Sequence, residues 1–286
     1  RAPGATVATF CGESTMDDLA RGIGMDPIDF RIKNAAKAGD TNVDDEQYTR
    51  IGIVEMLEAV KASDEYTRPV KKSENGWPVG RGVGIGWWPC GIEISSARVM
   101  VNHDGGVDVT IGAVDLHGVR TGTAQVAAET LDIEPEEVNV HTADTEGIPY
   151  TGNAAGSRIT RTLSQAVYKA GTSVINQMKE KMAVRFGVEA EFVEYEDGYF
   201  YARDNQDSKV SFKDAGSAVT KNGSNVVATA SNDPGMRPAN GYAMAVADVE
   251  VDPDTGKVQL TDFTMFQDVG KCVNPTQVES QMQGGA

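Results

Sequence analysis

Cysteine and histidine are both scarce in this chain. Cys11, Cys90 and Cys272 are scattered with no C-x-x-C pair, and His103, His117 and His141 show no metal-ligand spacing. That pattern argues against a disulfide framework, a zinc site or a cysteine-ligated iron–sulfur cluster within these residues. No run of about 18 apolar residues occurs, nor a signal-peptide pattern, so no segment reads as a membrane span. Basic residues are in deficit, 26 against 42 acidic ones, giving a formal charge of −16 over 286 residues. Nonspecific nucleic-acid binding depends on Lys and Arg neutralising phosphates, so it is disfavoured. Gly-Lys-Ser/Thr is missing, which removes a P-loop. A dinucleotide fingerprint starting at Gly80 fails because Ile85 stands where G-x-G-x-x-G needs glycine.

What the chain does have is a run of small residues that opens into a helical pattern: Gly152-Asn153-Ala154-Ala155-Gly156-Ser157-Arg158-Ile159-Thr160-Arg161-Thr162. Small side chains let backbone N–H groups approach a ligand, and a helix start adds unsatisfied donors and a positive dipole end. Ser157, Thr160 and Thr162 contribute hydroxyls. In an acidic chain an anion needs a local cluster of donors, which gives weight to Arg1, Arg120, Arg158 and Arg161. The run is a candidate cradle for phosphate or pyrophosphate. It fits equally well a tight loop capped by Ser157.

Residues 1–68 read as helical. Met16, Leu19, Ala20 and Ile23 have helical spacing behind Ser14 as N-cap, and Asp26-Pro27 supplies an N-cap with Pro at the first helical position. Ile53, Leu57 and Val60 mark a third helix. Residues 69–78 form a polar connector, and beyond it strands begin. Gly80–Trp88 alternates glycine with larger residues, which predicts a strand with one glycine-lined face against which a backbone or ligand packs closely. Asp104-Gly105-Gly106, Asp197-Gly198 and Asp252–Gly256 predict hairpins. Thr121–Leu131 and Ser157 to about Phe186 predict helices, and a last helix starts near Pro275. Trp87, Trp88 and Phe266 are candidate pocket aromatics or, by the burial preference of such residues, core aromatics. The fold class is α+β, with mixed sheets and hairpins packed against long helices after a short helical segment.

Several motifs in order carry a resemblance across nearly the whole chain. They are Arg1-Ala2-Pro3-Gly4, Phe30-Arg31-Ile32-Lys33-Asn34 and Gly112-Ala113-Val114-Asp115. There follow Ala124–Glu129, Asp144-Thr145, Gly156-Ser157-Arg158, Gln165–Tyr168, Asp268–Pro275 and Val278–Gln281. This series resembles the molybdenum-cofactor-binding subunit of the xanthine dehydrogenase/aldehyde oxidase family. The resemblance implies residues 1–78 as the end of a first molybdopterin-binding domain with its helical connector, and 79–286 as a second such domain, incomplete at its C-terminus. It implies a molybdenum–pterin cofactor (molybdopterin, in some members with cytosine dinucleotide). The metal is held by the pterin dithiolene, so no protein ligand is needed. Arg1 and Gly4 match the family's Arg-x-x-Gly beside the metal. Ala155, Gly156, Ser157 and Arg158 match its cofactor loop, and Gln281 the glutamine of its final Gly-Gln, here preceded by Ser280. Where the family commonly has Gly-Gln-Gly, this chain is one residue shorter and has His117-Gly118, so His117 becomes the candidate group near molybdenum.

The function implied is part of a molybdenum hydroxylase that oxidatively hydroxylates an aldehyde or N-heterocycle with oxygen from water. The alternative is a noncatalytic cofactor-binding or assembly module. The family's catalytic base, a glycine-bounded glutamate, is expected beyond Ala286, so the chain alone is expected to be inactive. Iron–sulfur and FAD groups are expected on partner chains or segments of a hetero-oligomer in the cytoplasm.

Overall fold

The computed structural model describes all residues except 1, 43, 44, 143–146, 148 and 238. Four helices come first: α1 (Ala5–Gly22), α2 (Pro27–Asn34), α3 (Ile53–Ala62) and α4 (Asp64–Thr67). Then follow β1 (Val79–Cys90), β2 (Ser96–Val101), β3 (Val107–Ile111), α5 (Val119–Leu131), β4 (Val138–His141) and α6 (Ile159–Phe186). The rest comprises β5 (Val193–Glu196), β6 (Tyr199–Ala202), β7 (Asn205–Ser211), α7 (Phe212–Lys221), β8 (Val227–Ser231), β9 (Ala239–Val251), β10 (Val258–Asp268) and α8 (Pro275–Gln283). Mixed helices and sheets make the class α+β, as the hairpin and helix signals predict. No helix among the described residues is long and apolar enough to cross a membrane.

The chain forms two compact units. The first joins Arg1–Cys90, Ala239–Cys272 and Val278–Ala286; the second comprises Gly91–Pro238 with Val273–Gln277. These units do not follow the family segments expected at 1–78 and 79–286, because the N-terminal helices pack on β9. Ile28, Leu57 and Val60 bury themselves against Tyr242, Met244 and Val246.

In the first unit, α2 starts as its sequence predicts. Asp26 Oδ1 accepts from the amides of Ile28 (2.9 Å) and Asp29 (3.1 Å), and Pro27 occupies the first turn. Helix α1 begins earlier than predicted, at Ala5 rather than after Ser14, because Ala5, Ala8 and Gly12 extend it without adding an apolar face. Buried Arg31 ties α1 to α2. Its Nε donates to Glu13 Oε2 (2.8 Å), its Nη1 pairs with Asp17 (2.8 Å), and Glu13 Oε2 also accepts from the amide of Ile85 (2.7 Å). The sheet order is β1-β9-β10, antiparallel throughout. Side chains alternate across a strand. Tyr242, Met244 and Val246 therefore face the helices, while Ala243, Ala245 and Ala247 stand beside Gly86, Gly84 and Gly82 on the other face. That glycine face is as predicted, but among the described residues nothing packs closely on it: a Cβ at Gly80, Gly82, Gly84 or Gly86 would meet no atom within 4 Å.

The second unit is built on a sheet of order β4-β3-β2-β8, with β3 and β4 parallel and joined through α5. Helix α6 lies against it. Leu163, Ala166, Val167, Ala170, Val174 and Met178 repeat at helical spacing and are buried with Val99, Val109 and Ile111. A smaller sheet, β5-β6-β7, turns at Asp197-Gly198, both with positive φ, as an Asp-Gly hairpin requires.

Candidate functional site

In the second unit the predicted cradle residues split into inward and outward groups. Gly156 (φ +64°) and Ser157 (φ +59°) are consecutive left-handed residues that turn the chain into α6. The loop is anchored from behind, since the Gly91 amide donates to the Gly156 carbonyl at 2.8 Å and the Gly152 amide to that of Ile94 at 2.9 Å. Arg158 points inward. It is 2% exposed, pairs with Glu93 Oε2 at 3.1 Å, and donates to Ser95 Oγ at 3.1 Å and to the carbonyls of Glu93 and Asn153. Thr162 is also internal, its hydroxyl 2.8 Å from that of Ser95. Arg158 and Thr162 thus brace the loop rather than present charge and hydroxyl at its surface, as the sequence pattern had them. Exposed Ala155 and Ser157 remain on the outer side. The first residues of α6 receive no side-chain cap. Arg161 contributes Nη1 to the carbonyl of Arg237.

A second turn sits at the start of α5. His117 (φ +53°) is exposed and Gly118 (φ +74°) is the N-cap. Asp115 Oδ1 accepts from the Arg120 amide at 3.2 Å, so this carboxylate holds the helix start. Gly118 must be glycine for two reasons: its φ, and the Gln277 amide, whose Nε2 would lie 1.7 Å from any added Cβ. Gln277 is held in turn. Its backbone N–H donates to Asn274 Oδ1 (3.1 Å), and Asn274 Nδ2 donates to Gln125 Oε1 (3.2 Å). Gln125 and Asn274 lie within the motifs that carry the resemblance, but neither their contact nor the role of Gln277 shows in the sequence pattern. The Asn274-Pro275 pair, an N-cap signal, was the available clue.

The starts of α5 and α6 adjoin. Val119, Gly122 and Thr123 meet Thr160, Leu163 and Ser164 around a crevice of about 10 Å³, room for no more than one water. Two helix N-termini side by side place two positive dipole ends and several amide donors at one surface. That donor set fits an oxyanion such as a phosphate without needing Arg158. No group of three or more His, Cys, Asp or Glu among the described residues could hold a metal ion. A metal at this surface would have to be carried by ligands of a bound group.

Gly4 and Gln281 belong to the first unit. Gly4 (φ +80°) is the N-cap of α1, and Gln281 is exposed on α8. Arg1 lies outside the described residues, as does the Asp144-Thr145 motif. Trp87, expected in the core, is 56% exposed near the end of β1. Phe266 does pack on the core.

At the level of fold, the chain is similar to two solved oxidoreductases. It matches quinoline 2-oxidoreductase from Pseudomonas putida 86 with a TM-score of 0.83 and 22% identity, over 97% of this chain and 39% of that one. It matches reconstituted CO dehydrogenase from Oligotropha carboxidovorans with a TM-score of 0.84 and 19% identity, over 98% and 39%. The sequence places it further: the chain belongs to the molybdopterin cofactor-binding domain family, whose profile matches residues 55–286. It is 27% identical over 300 residues to the xanthine dehydrogenase molybdenum-binding subunit of Escherichia coli O157:H7, covering 100% of this chain and 40% of that subunit. It is 26% identical over 316 residues to the nicotine 6-hydroxylase large subunit of Paenarthrobacter nicotinovorans, covering 100% and 38%. The chain thus spans about two fifths of the length of these curated relatives.

Proposed function

We propose that the chain is part of the molybdenum-cofactor-binding catalytic subunit of a hydroxylase that oxidises an aldehyde or N-heterocycle, with water as the oxygen source. The observation that carries this reading is the match of the whole chain to subunits named for molybdenum binding and hydroxylation. The adjoining helix starts support it. In this reading the uncapped first turn of α6 and the Ser157 hydroxyl donate to the cofactor phosphate. Gly156 lets the backbone approach, and Ala155 leaves room for it. Arg158 keeps the loop in shape from behind through Glu93. Gly4, Gln281 and Arg1 are carried over as cofactor contacts from the family motifs they match. The bound cofactor supplies a redox metal held through its own sulfur atoms. His117 stands exposed at the α5 turn, where its imidazole would serve as a hydrogen-bond donor to the bound group, and Gln277, packed on Gly118, fixes that turn. Iron–sulfur and flavin groups on partner chains or segments would accept the electrons, and the cytoplasm is the proposed compartment.

The test is elemental and pterin analysis of the whole subunit, purified from a host that makes the cofactor. Near-stoichiometric molybdenum with an acid-released pterin is expected. Finding neither would overturn the reading. The shortened His117-Gly118 turn is the feature that favours a noncatalytic cofactor-binding module. Full cofactor content without turnover of any of a panel of aldehydes and purines would select that reading.

A further inference from the structure

We propose that the first unit carries a docking face for one α-helix, supplied by the same polypeptide outside residues 1–286, on the side of the β1-β9-β10 sheet opposite α2 and α3. Four positions on each strand make up that side. Alternation sets Gly80, Gly82, Gly84 and Gly86 of β1 beside Val249, Ala247, Ala245 and Ala243 of β9. Leu260, Phe263, Met265 and Gln267 of β10 stand along the other flank of β9. None of these positions is charged, although 24% of the chain is. Leu260 is 61% exposed and Phe263 38%. Among the described residues, a Cβ built at any of the four glycines meets no atom within 4 Å. The face is thus a glycine trough, an alanine floor and an apolar ridge, all of one compact unit.

Shape selects a helix. The rows run about 20 Å along the strands, and three strands are about 10 Å across. An α-helix is about 10–12 Å wide and covers 20 Å in about 13 residues, so one helix matches the face. A strand would add at a sheet edge instead, where backbone groups lack partners. The other side of the sheet already follows this pattern, since α2 and α3 cover Tyr242, Met244 and Val246. A sheet apolar on both sides takes a layer on each. Area selects the source. The face offers roughly 300 Å², against about 800 Å² per partner in a stable complex of separate chains. A tethered helix loses far less freedom on docking than a free partner, so a small face suffices within one polypeptide. Length agrees, because the chain spans about two fifths of its curated relatives. The helix presents uncharged side chains such as Leu or Met that fill the trough, because a charge brought there would lose water and find no counter-charge. The inference rests on the reading above only for the longer subunit.

The test compares residues 1–286 with the whole subunit, purified free of partner chains. Ala245→Cys is treated with a maleimide in both, and labelling is read by peptide mass spectrometry, which scores Cys11, Cys90 and Cys272 separately. Position 245 should label as an open thiol in residues 1–286 and at least roughly tenfold more slowly in the whole subunit, a protection set by the docking equilibrium. Gly84→Arg puts a long cation in the trough, where its Cβ meets no atom within 4 Å. It should leave the melting temperature of residues 1–286 within about 2 °C and lower that of the whole subunit by about 5 °C or more. Equal labelling in the two proteins, or equal melting shifts, would overturn the proposal. Protection that appears only when partner chains are added would make one of them the occupant and overturn it too. So would concentration-dependent self-association of residues 1–286 that Gly84→Arg removes, since the occupant would then be a second copy. Molybdenum content is measured on the same subunit. Protection without molybdenum keeps the docking face and sinks the cofactor reading, and molybdenum without protection does the reverse.

Discussion

A guanidinium that is 2% exposed must be met by partners on most sides, and Arg158 is met by Glu93, Ser95 and Asn153. Ser157, one residue earlier, is exposed. The pair therefore separates two roles that adjacency in the motif merges. Arg158→Ala is expected to cost about 2–4 kcal/mol in stability, since it strips hydrogen bonds from a buried network. Glu93 is partly exposed, which keeps the loss below that of a fully buried pair. Ser157→Ala should change stability by no more than about 0.5 kcal/mol yet lower cofactor content in the whole subunit. Urea unfolding and metal analysis on both variants check this; a strong stability loss in Ser157→Ala would assign the hydroxyl to folding instead. Gly118→Ala should cost about 1–3 kcal/mol through its left-handed backbone, and more if Gln277 cannot move aside. Gln277→Ala combined with Gly118→Ala should recover part of that loss. The sequence showed that charge and small residues cluster at 152–162, but not which way each side chain points. Direction is set by Glu93 and Ser95, more than 60 positions away.

Elements whose ends carry their own chemistry were the ones legible in the chain. Asp26-Pro27 fixed the start of α2, and the Asp-Gly pairs fixed their hairpins. Helix α1 was read short because its first turns lack an apolar stripe, and only Ala20 of its residues is buried. Strand β7, Asn205–Ser211, is polar and mostly exposed, so its period of two never reaches the hydrophobic pattern. The link between β1 and β9 also lay hidden. Arg81 binds Asp248 through two contacts of 2.6 and 2.7 Å, and its Nη1 donates to the carbonyls of Tyr66 and Arg68 at the end of α4. The Arg81 hydrogen bond holds the Asp248 carboxyl below its ordinary value. A carboxylate with a lowered folded pKa contributes stability that is full above its unfolded value, near 4, and is lost as pH falls through the folded one. Asp248→Asn should therefore cost about 3–5 kcal/mol at pH 7, since it leaves a buried arginine without its counter-charge. The gap from wild type should narrow below about pH 4. Thermal melts from pH 3 to pH 7 check this, and a gap independent of pH would mean that the pair acts through packing alone.

At the scale of the whole molecule, the order of residues along the chain and the order of packing diverge. The first unit draws on three separate stretches, and β9 is buried on one face by helices that precede it by about 180 positions in the chain. Among the described residues, the core of the second unit contains none from 1–78. A chain cut at the polar connector, residues 79–286, should therefore keep one core and lose the other. Without Ile28, Leu57 and Val60, the Tyr242, Met244 and Val246 face would stand in water. At about 1.5–3 kcal/mol per large apolar side chain, no three-stranded sheet of this size bears that loss. Hydrogen exchange distinguishes the two units within one sample. Amides of β2, β3 and α6 should stay protected in the truncated chain, while those of β9 and β10 exchange as if unfolded. Adding residues 1–78 as a separate peptide should restore protection to β9 first, because α2 and α3 pack on that strand. If β9 and β10 remain as protected in the truncated chain as in the full one, the N-terminal helices cover the sheet without supporting it. The boundary expected from family segments would then also be the boundary of folding.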